Sequence, residues 1–157
     1  MNNIVLVFSL FFVFMFGAGA AEQRRIFTLI SNKNINELIE YYKTNPINEI
    51  EFSNLLNSNV SVVVFAAMES NSEILSFYAN QGFDLQKRHE EFEFKLGGNL
   101  LHDAASGCNL DTFSYLVGEG LELQEVNDKG YTPLDIARMF QCPSIEQFIQ
   151  ETLKQNE

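Results

Sequence analysis

"GYTPLDIARM", Gly130–Met139, decides the fold, because an earlier stretch of the chain has the same design. "GNLLHDAASGCNLDTFSYLVGEGLELQ" runs from Gly98 to Gln124, and "YTPLDIARMFQCPSIEQFIQETL" from Tyr131 to Leu153. Asn99 and Thr132 hold the same place in the two segments, 33 residues apart. A third copy, "VSVVVFAAMESNSEILSFYANQGFDLQ", covers Val60–Gln86 and stands 38 residues ahead of the second. A fixed period of this length marks a stacked-repeat architecture. The longer step means that one connection carries five extra residues.

Each copy contains two apolar stripes at helical spacing. Val63, Ala66 and Ala67 form the first stripe in one copy, and Leu101, Ala104 and Ala105 form it in the next. Small Ala residues let the helices of adjacent copies approach closely. Ile74, Leu75, Phe77 and Tyr78 form the second stripe, matched by Phe113, Tyr115, Leu116 and Val117. Asn71 and Asn109 stand where these second helices begin, each followed by an acid, as helix starts favour. Gly82 and Gly120 follow the same helices, where a left-handed stop is needed. One helix pair cannot bury its own apolar face, but stacked neighbours bury it together. The expected fold class is all-α, a solenoid of helix–turn–helix units.

These residues resemble the ankyrin-repeat family from about Arg25 to Leu153. The resemblance is carried by "NLLHDAASGCNLDTFSYLVGEG" and by "DKGYTPLDIA". "RRIFTLISNKNINELIEYYKTNP", from Arg25, fits the same outline and reads as the N-terminal cap, giving about four units with one expanded finger loop. Ankyrin units usually carry Thr and His together at the start of the first helix. Here His102 has Asn99 in place of the Thr, and Thr132 has Asp135 in place of the His. The resemblance makes His102 a turn-fixing group. Arg138 replaces the second Ala of the last unit, as suits an outer cap.

The N-terminus reads differently. Ile4–Phe16 is apolar apart from Ser9, Gly17-Ala18-Gly19-Ala20 follows, and the first charged side chain is Glu22. This is the form of a secretory signal peptide, although no Lys or Arg precedes the apolar run. The run is shorter than a membrane-spanning helix needs. A signal over residues 1–20, cleaved near Ala20, and an ankyrin-repeat domain over 21–157 are expected. That implies a periplasmic or secreted protein with no membrane attachment after cleavage.

Ten Lys and Arg stand against 21 Asp and Glu, a formal net charge of −11. Such a field repels phosphate backbones and argues against nucleic acid as a partner. It serves solubility, or steers a basic partner. His102-Asp103 has no nucleophile pattern beside it, and no hydrolase, metalloprotease or P-loop motif occurs. The expected function is therefore non-enzymatic protein binding without a metal or cofactor. By analogy with the family, the most concrete form is an immunity-type inhibitor that masks a toxin or effector enzyme through a basic or apolar surface. An accessory protein for a periplasmic enzyme and a secreted effector that binds a host protein are the alternatives.

Cys108 and Cys142 lie in the turns of consecutive units. An oxidising compartment favours a bond. Units stacked at about 10 Å exceed the Cα separation of about 7 Å that a disulfide tolerates. On that geometry two unpaired thiols are expected.

The family binds through finger tips and the exposed side of the first helix. Carried over, this selects Met68 and Glu69, then Ser106, then Asp128, Lys129 and Tyr131 on the last finger, then Met139 and Phe140. The expanded finger, Lys87–Gly98, adds His89, Glu91, Phe92, Glu93 and Phe94. Its two Phe alternate with charges, so an extended strand would place both rings on one side.

Overall fold

The structure is a computed structural model that describes residues 18–45, 52–53, 59–89 and 97–155. Among these residues eight helices form four antiparallel pairs. The pairs are α1 (Ala18–Ser31) with α2 (Ile35–Tyr42), α3 (Val62–Glu69) with α4 (Ser72–Asn80), α5 (Leu100–Ser106) with α6 (Leu110–Gly118), and α7 (Pro133–Met139) with α8 (Pro143–Gln155). First helices stack on first helices in the order α1, α3, α5, α7, and α4, α6 and α8 stack beside them. This is the four-unit all-α solenoid expected from the repeats. β1 (Phe52–Ser53) and β2 (Asn59–Val60) pair antiparallel in the finger between the first two units. The predicted export segment lies outside the described residues, except that Ala18–Ala20 open α1.

The core is built from the residues the repeat singles out. Ala66, Ala67, Leu101, Ala104, Ala105, Ile136 and Ala137 are fully buried between first helices. Ile74, Leu75, Tyr78, Phe113 and Leu116 are fully buried behind them, while Phe77, Tyr115 and Val117 are half-buried. Aromatic pairs join units at both ends of the stack. Phe27 meets Phe65 at 4.2 Å, and Phe113 meets Phe148 edge-on at 5.9 Å. Asn71 and Asn109 cap α4 and α6 as predicted, accepting from the N–H groups of Ile74 and Thr112. Gly82 and Gly120 follow with φ of +94° and +90°.

The units approach most closely at their interhelix turns. A Cβ on Gly107 would lie 2.2 Å from the Met68 carbonyl oxygen of the preceding unit. Side chains therefore cross this gap with little reach. Ser70 Oγ donates to the Ile30 carbonyl at 2.9 Å. Asn109 Nδ2 donates to the carbonyls of Ser70 and Ala67 at 2.7 and 3.2 Å.

Cys142 holds the position in α7–α8 that Asn109 holds in α5–α6, and it makes the same reach. Its Sγ lies 3.3 Å from the Ala105 carbonyl and is bonded to Cys108. The expectation of two unpaired thiols is thus corrected: Cys108 and Cys142 form a disulfide with a Cα–Cα separation of 5.2 Å. The spacing of about 10 Å holds between helix axes. It does not hold at the turns, where Asn109 and Cys142 reach back to the previous unit.

Candidate protein-binding surface

The finger end of the array is held by hydrogen bonds that run from each unit to the next. His102 is fully buried in the first turn of α5. Its Nε2 donates to the Tyr131 carbonyl of the following finger at 3.0 Å. The Asn99 N–H donates to its Nδ1 at 3.3 Å. Burial holds the imidazole below its ordinary pKa, although the bond to the Tyr131 carbonyl pulls the other way. His102 is therefore the turn-fixing group that the family pattern implies, with Asn99 in the role of the missing Thr.

The capping group of α7 turns inward on itself. The N–H and hydroxyl of Thr132 donate to Asp135 Oδ2 at 2.9 and 2.7 Å, and the Asp135 N–H returns a bond to Thr132 Oγ1. These bonds hold the Asp135 carboxyl below the usual carboxylate range.

The expanded finger is closed at its base. His89 and Gly98 exchange two backbone hydrogen bonds of 2.9 Å. The His89 side chain turns inward, with Nε2 2.6 Å from Oδ2 of buried Asp103. Asp103 stands where Ile136 stands in the next unit, so an apolar core position carries a carboxylate. A buried carboxyl needs a donor or cation near it, and the preceding finger brings the His89 ring to it, although the angle between the two groups falls short of a hydrogen bond. Sequence reasoning missed this pair and assigned His89 to the partner surface. The signal was available: an Asp in the apolar register of α5 implies a buried cation or donor.

Arg88 joins the two fingers, pairing with Glu125 and with Asp128 at 3.2 Å and donating to the Val126 carbonyl. Asn99 Nδ2 donates to the other oxygen of Glu125 at 2.7 Å. The side chains of Arg88, Glu125 and Asp128 are all partly exposed, and such pairs contribute about 0–1 kcal/mol each. They fix finger geometry more than stability. Among the described residues no group of three His, Cys, Asp or Glu side chains is arranged to hold a metal ion.

The selected partner-facing residues separate into groups. Glu91, Phe92, Glu93 and Phe94 lie outside the described residues. Met68 and Ser106 are half-buried in the crowded turn region, and Glu69 is exposed. Asp128 is held by Arg88. Lys129 and Tyr131 take their backbone shape from Asn127, whose Oδ1 accepts both N–H groups. The Tyr131 ring is 39% exposed. Met139 and Phe140, at the far end of α7, are 52% and 47% exposed. Sequence reasoning did not select Leu110, 36% exposed. Aromatic and Met side chains left open to water on a rigid helix are what interface centres favour.

Helix pairs stacked in one direction, tied finger to finger and open along one face, define a helical-repeat solenoid of the protein-binding class. Residues 101–141 match the family model described as ankyrin repeats (many copies). Ankyrin repeats are typically non-enzymatic modules that bind other proteins. No curated protein matches the chain.

Proposed function

We propose that this protein is an exported ankyrin-repeat binder that masks another protein, in the concrete form of an immunity-type inhibitor of a toxin or effector enzyme. The observation that carries the binding reading is the exposure of Tyr131, Met139 and Phe140 along one unit. Their supporting helix is buried beneath them, so the anchors are presented with little flexibility, which lowers the entropy lost on binding.

α7 carries one acid and one base, Asp135 and Arg138, so charge is balanced on the helix that presents Met139 and Phe140. A disulfide between consecutive units is compatible with the oxidising compartment that export would reach. Cleavage near Ala20 would leave Ala21–Ser31 of α1, including buried Ile26, Leu29 and Ile30, so the first unit keeps its core face.

The test is capture from the periplasm of exporting cells, followed by assay of the captured protein's activity with and without this chain. Activity should fall as a one-to-one complex forms. Met139→Ser with Phe140→Ser should abolish both binding and inhibition while the melting curve stays put. A captured enzyme whose activity is unchanged or raised would sink the inhibitor reading and favour the accessory role. An N-terminus that retains Met1 would sink the export reading.

A further inference from the structure

We infer that the Cys108–Cys142 disulfide is a redox-responsive latch on the last repeat, exchanged with dithiols through Cys108 alone. The argument compares two successive junctions. Between the second and third units, the turn end is tied by Asn109 Nδ2 to the Ser70 and Ala67 carbonyls. Thr112 Oγ1 also donates to Ala67 at 2.8 Å, and Asp111 accepts the Ser72 N–H at 2.8 Å. One repeat later the equivalent residues are Cys142, Ile145 and Ser144.

Both side chains that supplied hydrogen bonds to carbonyls are thus replaced, by a sulfur and by an aliphatic group. Among the described residues the polar contacts across the second turn junction are made by the two sulfurs, Cys142 to the Ala105 carbonyl and Cys108 to the Phe140 carbonyl at 3.8 Å. A disulfide sulfur has no hydrogen to donate, so the covalent bond takes the place of the hydrogen-bonded tie. At its opposite end α7 stays attached through His102 and the Tyr131 carbonyl. Opening the disulfide therefore frees one end of α7, the end that carries Met139 and Phe140.

The two sulfurs differ in access. Cys108 is exposed, and Cys142 is 1% exposed. An incoming thiolate can reach only Cys108 Sγ. Attack there forms a mixed disulfide and breaks the Cys108–Cys142 bond, and Cys142 leaves as a thiolate and takes a proton. The donor's second thiol then loses its proton and attacks its own partner sulfur. Cys108 is released and protonated. The protein has gained two electrons and two protons, and the dithiol has become a disulfide. Expelling a thiolate into a buried site slows the step, because an unpaired charge is costly to place away from water. The latch then opens to a dithiol docked beside Cys108 faster than to a dilute monothiol.

Hydrogen exchange on the full chain, oxidised and after dithiothreitol, tests the latch. Exchange across α7 and the start of α8 should rise on the order of a hundredfold on reduction, as opening a loop of this length implies. Exchange in α3 and α4 should not change. The Cys108→Ser, Cys142→Ser double variant should match the reduced protein and ignore dithiothreitol. Equal protection before and after reduction, or loss of protection in all four units together, overturns the latch. So does a mass spectrum of the exported protein that shows free thiols.

The entry point is tested separately with a Cys-x-x-Ser variant of a dithiol oxidoreductase whose mutated cysteine is the resolving one, activated on its remaining Cys by a thiol-reactive disulfide. Cys142→Ser should trap it as a mixed disulfide, and Cys108→Ser should not. Equal trapping overturns attack through Cys108.

Discussion

Replacing Asn109 tests whether the turn junctions are held by the capping side chains. Asn109 does two jobs. Its Oδ1 caps α6 by accepting from Thr112 N–H at 3.4 Å, and its Nδ2 donates to Ser70 and Ala67 in the preceding unit. Loss of an Asn cap costs about 1 kcal/mol. Each inter-unit hydrogen bond contributes about 0.5–1.5 kcal/mol net. The Ala67 carbonyl keeps its bond from Thr112 Oγ1, so the Ser70 tie is the larger loss. Asn109→Ala should therefore cost about 2–3 kcal/mol.

Asn109→Asp separates the two jobs. Asp is as good a cap as Asn, but its carboxylate would face the Ser70 and Ala67 carbonyls with no hydrogen to give. The Asp variant keeps the cap and loses only the ties, so it should cost about 1–2 kcal/mol. Urea unfolding followed by far-ultraviolet circular dichroism gives the difference from the shift in midpoint at unchanged slope. If Asn109→Asp unfolds at the native midpoint, the inter-unit bonds contribute nothing, and the comparison of junctions fails with them.

Ala105→Arg would drive a charge into a fully buried site between α5 and α7, and it should abolish the cooperative melt; an unchanged melting curve would refute the repeat register. Phe113→Ala should cost about 3–5 kcal/mol by opening a cavity against Phe148, read from the same urea titration. The His102 imidazole, followed by NMR, should titrate below its ordinary value of 6.5. Because its folded pKa is depressed, His102 stabilises the fold fully above that value, and the contribution is lost as pH falls toward the folded pKa. A midpoint above 6.5 would overturn the role given to burial.

The fold was legible because the features that build it recur. Leu101, Ala104 and Ala105 repeat Val63, Ala66 and Ala67, and a period survives changes in the residues between. The caps Asn71 and Asn109 were legible for a local reason, since the N–H groups that donate to them lie three residues on. The disulfide was not, because it depends on how far a capping side chain leans toward the previous unit, and helix spacing says nothing of that. The His89–Asp103 pair joins a loop to a helix, and no periodicity covers a loop. The partner surface was legible only in outline. Helical register places Met139 and Phe140 on α7, but their exposure depends on what packs beside them. Leu110 was passed over because an apolar residue at the start of a second helix reads as core.

Arg138 also bears on what the outer face of the fourth unit can meet. Identical units stacked face to face have no intrinsic reason to stop, and an Ala pair left bare at the last unit would invite another chain to continue the stack. Arg138 occupies that place, exposed, with its Nε 3.7 Å from Glu146. A second copy arriving there would have to strip water from a guanidinium and a carboxylate with nothing to replace it. Arg138→Ala would remove that desolvation cost from the outer face of the unit.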